Sequence, residues 1–130
     1  AAIAFATGTS FGTMAVIIPL AIPLAIAIEP TTTLALATSA AVLSGATWGD
    51  HCSPISDTTI LSSTGTGCDH AAHVTTQLPY ALSAGAVSIL FGTLPAGFGL
   101  NPWLLLLVGC AGCALIVRTV GKKPMAISSS

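Results

Sequence analysis

The run from Thr47 to Ser63, TWGDHCSPISDTTILSS, sets two carboxylates, Asp50 and Asp57, among the hydroxyls of Ser53, Ser56, Thr58, Thr59, Ser62 and Ser63. Pro54 lacks a backbone donor and disfavours helix at Ser53, so a helix entering this run breaks there and frees carbonyl oxygens. Carboxylate, hydroxyl and carbonyl oxygens are what a small alkali cation needs in place of its hydration shell. A carboxylate also binds a proton, and a low-dielectric setting favours the protonated form. A group that holds either a proton or a cation, but not both, is a sufficient physical basis for exchanging the two. The plain structural reading of Asp50 is a cap for the returning half-helix. Asp57, followed by Thr58-Thr59 in the apolar continuation, is harder to read that way. His51 is a candidate proton carrier, since an imidazole titrates near neutrality; its plain reading is a loop histidine bonded to backbone. Cys52 reads as a small packing residue.

A second polar interruption, Thr7-Gly8-Thr9-Ser10-Phe11-Gly12-Thr13, carries hydroxyls and glycines but no charge. It can coordinate a cation only through the hydroxyls of Thr7, Thr9, Ser10 and Thr13 and backbone carbonyls, with Gly8 allowing a tight turn and close backbone approach. The competing reading is a small-residue packing face, because Gly8 and Gly12 fit GxxxG spacing. The density of Thr and Ser favours the site.

The elements that must position these residues follow from hydropathy. The chain has 130 residues, 53% of them hydrophobic and 5% charged. An ordinary soluble domain carries roughly 25% charged residues, so the composition excludes a soluble domain, a disordered tail and a coiled coil. With a net charge of -1 and three basic residues, nucleic-acid binding is excluded as well. What remains is a polytopic, all-α integral membrane protein in contact with lipid. Four apolar regions are predicted: 1–28 with the loop at 7–13, 32–65 broken at 49–54, and spanning helices over 76–98 and 102–120. A tail at 121–130 completes the chain. Pro102 sits at a helix start, and Gly121 with Lys122-Lys123-Pro124 forms a stop. The first two regions read as a re-entrant hairpin and a discontinuous helix, since irregular backbone at membrane depth survives only inside protein or around a wet cavity. Ionisable residues at that depth are functional candidates by default.

Arg118, Lys122 and Lys123 all follow the last span, which puts the C-terminus in the cytoplasm by the positive-inside rule. The Gly67–Val74 loop, with His70 and His73, is then cytoplasmic, and Glu29 is external. The chain opens inside an apolar stretch without a basic leader and reads as a fragment of a longer membrane protein.

GDHCSPISDTTILSSTGTGCDHAAHVTTQLPYAL (Gly49 to Leu82) closely resembles the signature region of the NhaC family of Na+/H+ antiporters, and FATGTSFGTMAVIIPLAIPLA (Phe5 to Ala25) resembles the hairpin before it. The resemblance implies a secondary transporter of the ion-transporter superfamily, built from two inverted repeats, in a prokaryotic inner membrane. This chain would be the second repeat plus a final helix, with the missing N-terminal repeat as partner and a second copy as a candidate partner. Alone it would not transport. No cofactor is implied beyond the transported Na+ and H+. The resemblance leaves open a Na+- or H+-coupled exchanger of organic anions such as malate or lactate.

A reading from another class is a metal-binding or structural module. Cys68, Asp69, His70 and His73 stand at helical spacing, and Asp50-His51-Cys52 could join them. Cys110 and Cys113 spell CxxC inside an apolar helix without charged neighbours, where packing is their expected role. No nucleophile–base pair has a setting that suggests an enzyme.

Overall fold

A computed structural model describes residues 1–121, and those residues form helices without strands. We number them α1 (Ala2–Thr7), α2 (Ser10–Ile28), α3 (Thr32–Cys52), α4 (Asp57–Thr66), α5 (His70–Ser88), α6 (Leu94–Gly97) and α7 (Pro102–Val120), with one π-helical turn (Ile89–Thr93) joining α5 to α6. Three stretches are long and apolar enough to cross a membrane: Ser10–Ile28, His70–Gly97 and Pro102–Thr119. At 1.5 Å per residue, the 19 residues of α2 reach about 28 Å, close to the hydrocarbon thickness. The tail with Lys122, Lys123 and Pro124 lies outside the described residues.

Helix ends are set by short local signals. Gly8 closes α1 in the left-handed region (φ 67°), and its N–H donates to the Ala4 carbonyl at 2.8 Å. Thr9 then caps α2 by accepting from the Gly12 N–H at 3.2 Å. Irregular backbone is therefore confined to Gly8-Thr9, and Ser10–Thr13 form the first turn of α2 instead of a loop. Gly67 ends α4 at φ 65°, with Cys68 N–H on the Ser63 carbonyl and Gly67 N–H on that of Thr64, a Schellman motif. Asp69 then accepts from the Ala72 N–H at 2.9 Å. This cap starts α5 at His70, ahead of the expected start at Thr76, so His70 and His73 lie on a helix and not in a loop. Asn101 caps α7 through the Trp103 N–H at 3.0 Å, with Pro102 in the first turn.

The described chain divides into two compact units, the first Ala1–Ala81 and the second beginning at Leu82. In the first unit α1 and α2 pack on α3, through small buried residues such as Ala4, Thr13 and Ala46. Gly49 lies against the Ala1 carbonyl, leaving no room for a Cβ. In the second unit α7 packs on the π turn and α6, and Gly112 faces Val87.

Burial is inverted relative to a soluble protein. The two largest side chains buried beyond 98% are serines, Ser53 and Ser56, whereas Phe11 is 82% and Trp103 77% exposed. Large apolar side chains facing outward suit hydrocarbon, and the buried polar side chains are Thr13, Ser53, Ser56, Thr59 and Ser63.

Gly8 and Gly67 share left-handed backbone, which costs an L-residue about 1–2 kcal/mol. A Cβ on Gly8 would also strike the Ile55 carbonyl oxygen at 2.7 Å, while one on Gly67 meets nothing within 4 Å. Gly8→Ala is therefore expected to lower the melting temperature of the purified protein markedly more than Gly67→Ala. Equal shifts would show that the Gly8–Ile55 approach contributes nothing to stability.

Candidate functional site: the break between α3 and α4

The residues between α3 and α4 are Ser53 to Ile55 and the N-cap Ser56. Ser53 precedes proline and turns extended (φ -74°, ψ 129°), which stops α3 at Cys52. Its N–H still donates to the Asp50 carbonyl at 2.9 Å. Its hydroxyl accepts from the Ile55 N–H at 3.3 Å, and its carbonyl from the Ser56 N–H at 3.4 Å. Ser56 begins α4 when its carbonyl accepts from the Ile60 N–H at 2.9 Å. The break thus falls at 53–56. Gly49-Asp50-His51-Cys52, expected within it, complete the last turn of α3, because the steric restriction imposed by Pro54 reaches back only one residue.

The acids take different positions. Asp50 is in the last turn of α3, and its Oδ1 is buried with no hydrogen-bond partner. Asp57 is the first residue of α4 and is exposed, at the end of the helix dipole that favours an anion. Among hydroxyls, Ser56 Oγ and Thr58 Oγ1 share a hydrogen bond of 2.8 Å, while Thr59 is 4% exposed with its Oγ1 unpartnered. A buried polar atom without a partner costs about 1–3 kcal/mol, so Asp50 and Thr59 mark where the fold leaves polar capacity unused.

The Gly8 turn meets this break backbone to backbone, as its approach to Ile55 shows. The hydroxyls of Thr7 and Thr9 are engaged locally. Thr7 donates to the Ile3 carbonyl at 2.8 Å, Thr9 caps α2, and Ser10 is the first residue of α2. Among the described residues, no hydrogen bond joins Thr7, Thr9 or Ser10 to Asp50 or Asp57. The turn and the break are brought together, but their expected ligand side chains are not linked.

His51 is exposed and lies against Gln77, whose Nε2 donates to the His51 carbonyl at 2.7 Å. With Thr58, Thr59, Ser62 and His73, these two residues line a cavity of about 230 Å³. All six side chains are polar. Cys52 is buried, in keeping with packing. Among the described residues no group of three or more His, Cys, Asp or Glu is placed to hold a metal ion, and both ring nitrogens of His70 already have partners in Pro54 and Ser63.

Sequence reasoning missed the contribution of α5. Trp48 Nε1 donates to the Ala81 carbonyl at 2.8 Å, Gln77 reaches the His51 carbonyl, and His70 reaches that of Pro54. The spacing 70, 77, 81 puts all three on one stripe of a helix, a signal present in the sequence.

The sequence profile of the Na+/H+ antiporter family matches residues 1–96. The chain is also similar to an uncharacterized protein of Haemophilus influenzae, with 52% identity over 98 residues. That match covers 75% of this chain and 18% of the relative, so the chain spans under a fifth of its length. No solved structure matches. With the profile covering both the Gly8 turn and the α3–α4 break, the chain belongs to the Na+/H+ antiporter family.

Proposed function

We propose that this segment carries part of the ion site of a secondary antiporter that exchanges Na+ for H+ across a prokaryotic cell membrane. The observation that carries the reading is Asp50 Oδ1, buried and without a partner beside a broken helix. A carboxylate oxygen in that position has hydrogen-bonding capacity that the fold leaves unused and that a bound ion would take up. Family membership and the three apolar stretches support transport by a multi-pass protein.

In this reading Asp50 and Asp57, one on each side of the break, are the exchanging carboxylates. Ser53, Ser56 and Thr58 offer oxygens nearby, and His51 passes protons from the polar cavity. Carbonyls near Gly8 contribute from the facing turn. Proton binding removes the negative charge that attracts Na+, so occupancy alternates and each ion drives the other. The α1–α2 pair is read as a re-entrant hairpin and α3–α4 as a discontinuous helix of the second inverted repeat, with a cytoplasmic C-terminus. The polypeptide outside this segment supplies the rest of the site.

Three outcomes are expected for the protein at its full natural length in everted vesicles. Asp50→Asn and Asp57→Asn reduce Na+-driven proton movement to the level of vesicles without the protein. Wild-type rates in Asp57→Asn would remove that residue from the site. Because only the deprotonated fraction binds Na+, the apparent KM for Na+ should rise about tenfold for each pH unit below the apparent pKa of the site. A KM independent of pH would contradict shared occupancy. Malate or lactate should leave the exchange unchanged; stimulation by either would favour an organic-anion exchanger.

A further inference from the structure

A broken helix exposes carbonyls whose position decides whether a cation can use them. Two carbonyls at this break are already engaged. The His51 carbonyl, in the last turn of α3, accepts from Gln77 Nε2 at 2.7 Å. The Pro54 carbonyl, within the break, lies 2.8 Å from His70 Nε2. A carbonyl has no hydrogen, so Nε2 of His70 carries the proton in this contact. The other ring nitrogen, Nδ1, lies 3.1 Å from the hydroxyl of Ser63, which is 2% exposed. His70 is thus held at both nitrogens, once by the break and once by α4.

We propose that His70 and Gln77 are positioning residues for the cation site, whose side-chain N–H groups fix the carbonyls of Pro54 and His51 and so set the separation of the two half-helix ends. They sit seven residues apart on one face of α5, which makes that helix a splint across the break. Each carbonyl has two lone pairs, so one hydrogen bond orients it and leaves capacity for a cation. Trp48, through the Ala81 carbonyl on the same stripe, holds α3 one turn earlier. The splint itself rests on these contacts; its effect on cation affinity rests on the antiport reading above.

The test uses four variants of the full-length protein. His70→Ala and Gln77→Met remove a donor, His70→Gln keeps an N–H that can reach Pro54, and Asp50→Asn reports on the antiport reading. Hydrogen exchange of the backbone amides of residues 53–60 should quicken about tenfold in His70→Ala and Gln77→Met and stay near wild type in His70→Gln. The KM for Na+ should rise about tenfold in the same two variants with kcat within about twofold, and His70→Gln should restore it. Unchanged exchange in both donor-lacking variants overturns the splint. Faster exchange with an unchanged KM overturns the positioning role. If Asp50→Asn transports like wild type, the antiport reading fails while the exchange data still decide the splint.

Discussion

Between Cys52 and Asp57 the chain gives up helical hydrogen bonds, and every backbone group so freed needs another partner. Within the first unit, contacts from several elements satisfy that break. Ser53 turns the chain with its own hydroxyl and backbone, Ser56 restarts the helix, and α5 reaches across with His70 and Gln77. The Gly8 turn packs against Ile55 where any side chain would intrude. Among the buried side-chain oxygens and nitrogens of the described residues, one carboxylate oxygen of Asp50 and the hydroxyl of Thr59 have no partner. An ion site needs this combination, because a rigid frame keeps the unused oxygens from collapsing onto protein donors.

The inverted burial follows from the same constraint. A membrane-embedded chain gains little by hiding Leu, Ile or Phe from hydrocarbon, so Phe11 and Trp103 can face outward without cost. Polar groups must instead be enclosed, and Ser53 and Ser56 are enclosed almost completely. Close helix approach then depends on small residues, as at Gly49 against Ala1, with van der Waals contact in place of hydrophobic exclusion.

Much of this was legible in the sequence, for physical reasons that can be separated. Low charge and long apolar runs pointed to membrane helices because lipid permits little else. Pro54 marked a break because its ring acts on the residue before it, yet the break begins after Cys52, since that effect reaches no further back. The expected loop at 7–13 shrank to Gly8-Thr9, because one left-handed glycine followed by one threonine cap reverses the helix signal in two residues. The start of α5 was misplaced because Asp69 acts as a cap, which hydropathy does not register. The splinting role of His70 and Gln77 depends on tertiary contact and could be read only as a stripe of polar residues on one helix. That Asp50 Oδ1 is buried and unpartnered while Asp57 is exposed has no local signature in the sequence.

The central claim is that protons and Na+ compete for Asp50, whose Oδ1 is buried beside the break. It is tested most directly by adding Na+ to the purified full-length protein in weakly buffered solution and measuring released protons. The account predicts release that saturates with Na+ and is lost in Asp50→Asn. Saturable Na+ binding without proton release, or release that persists undiminished in Asp50→Asn, would contradict it.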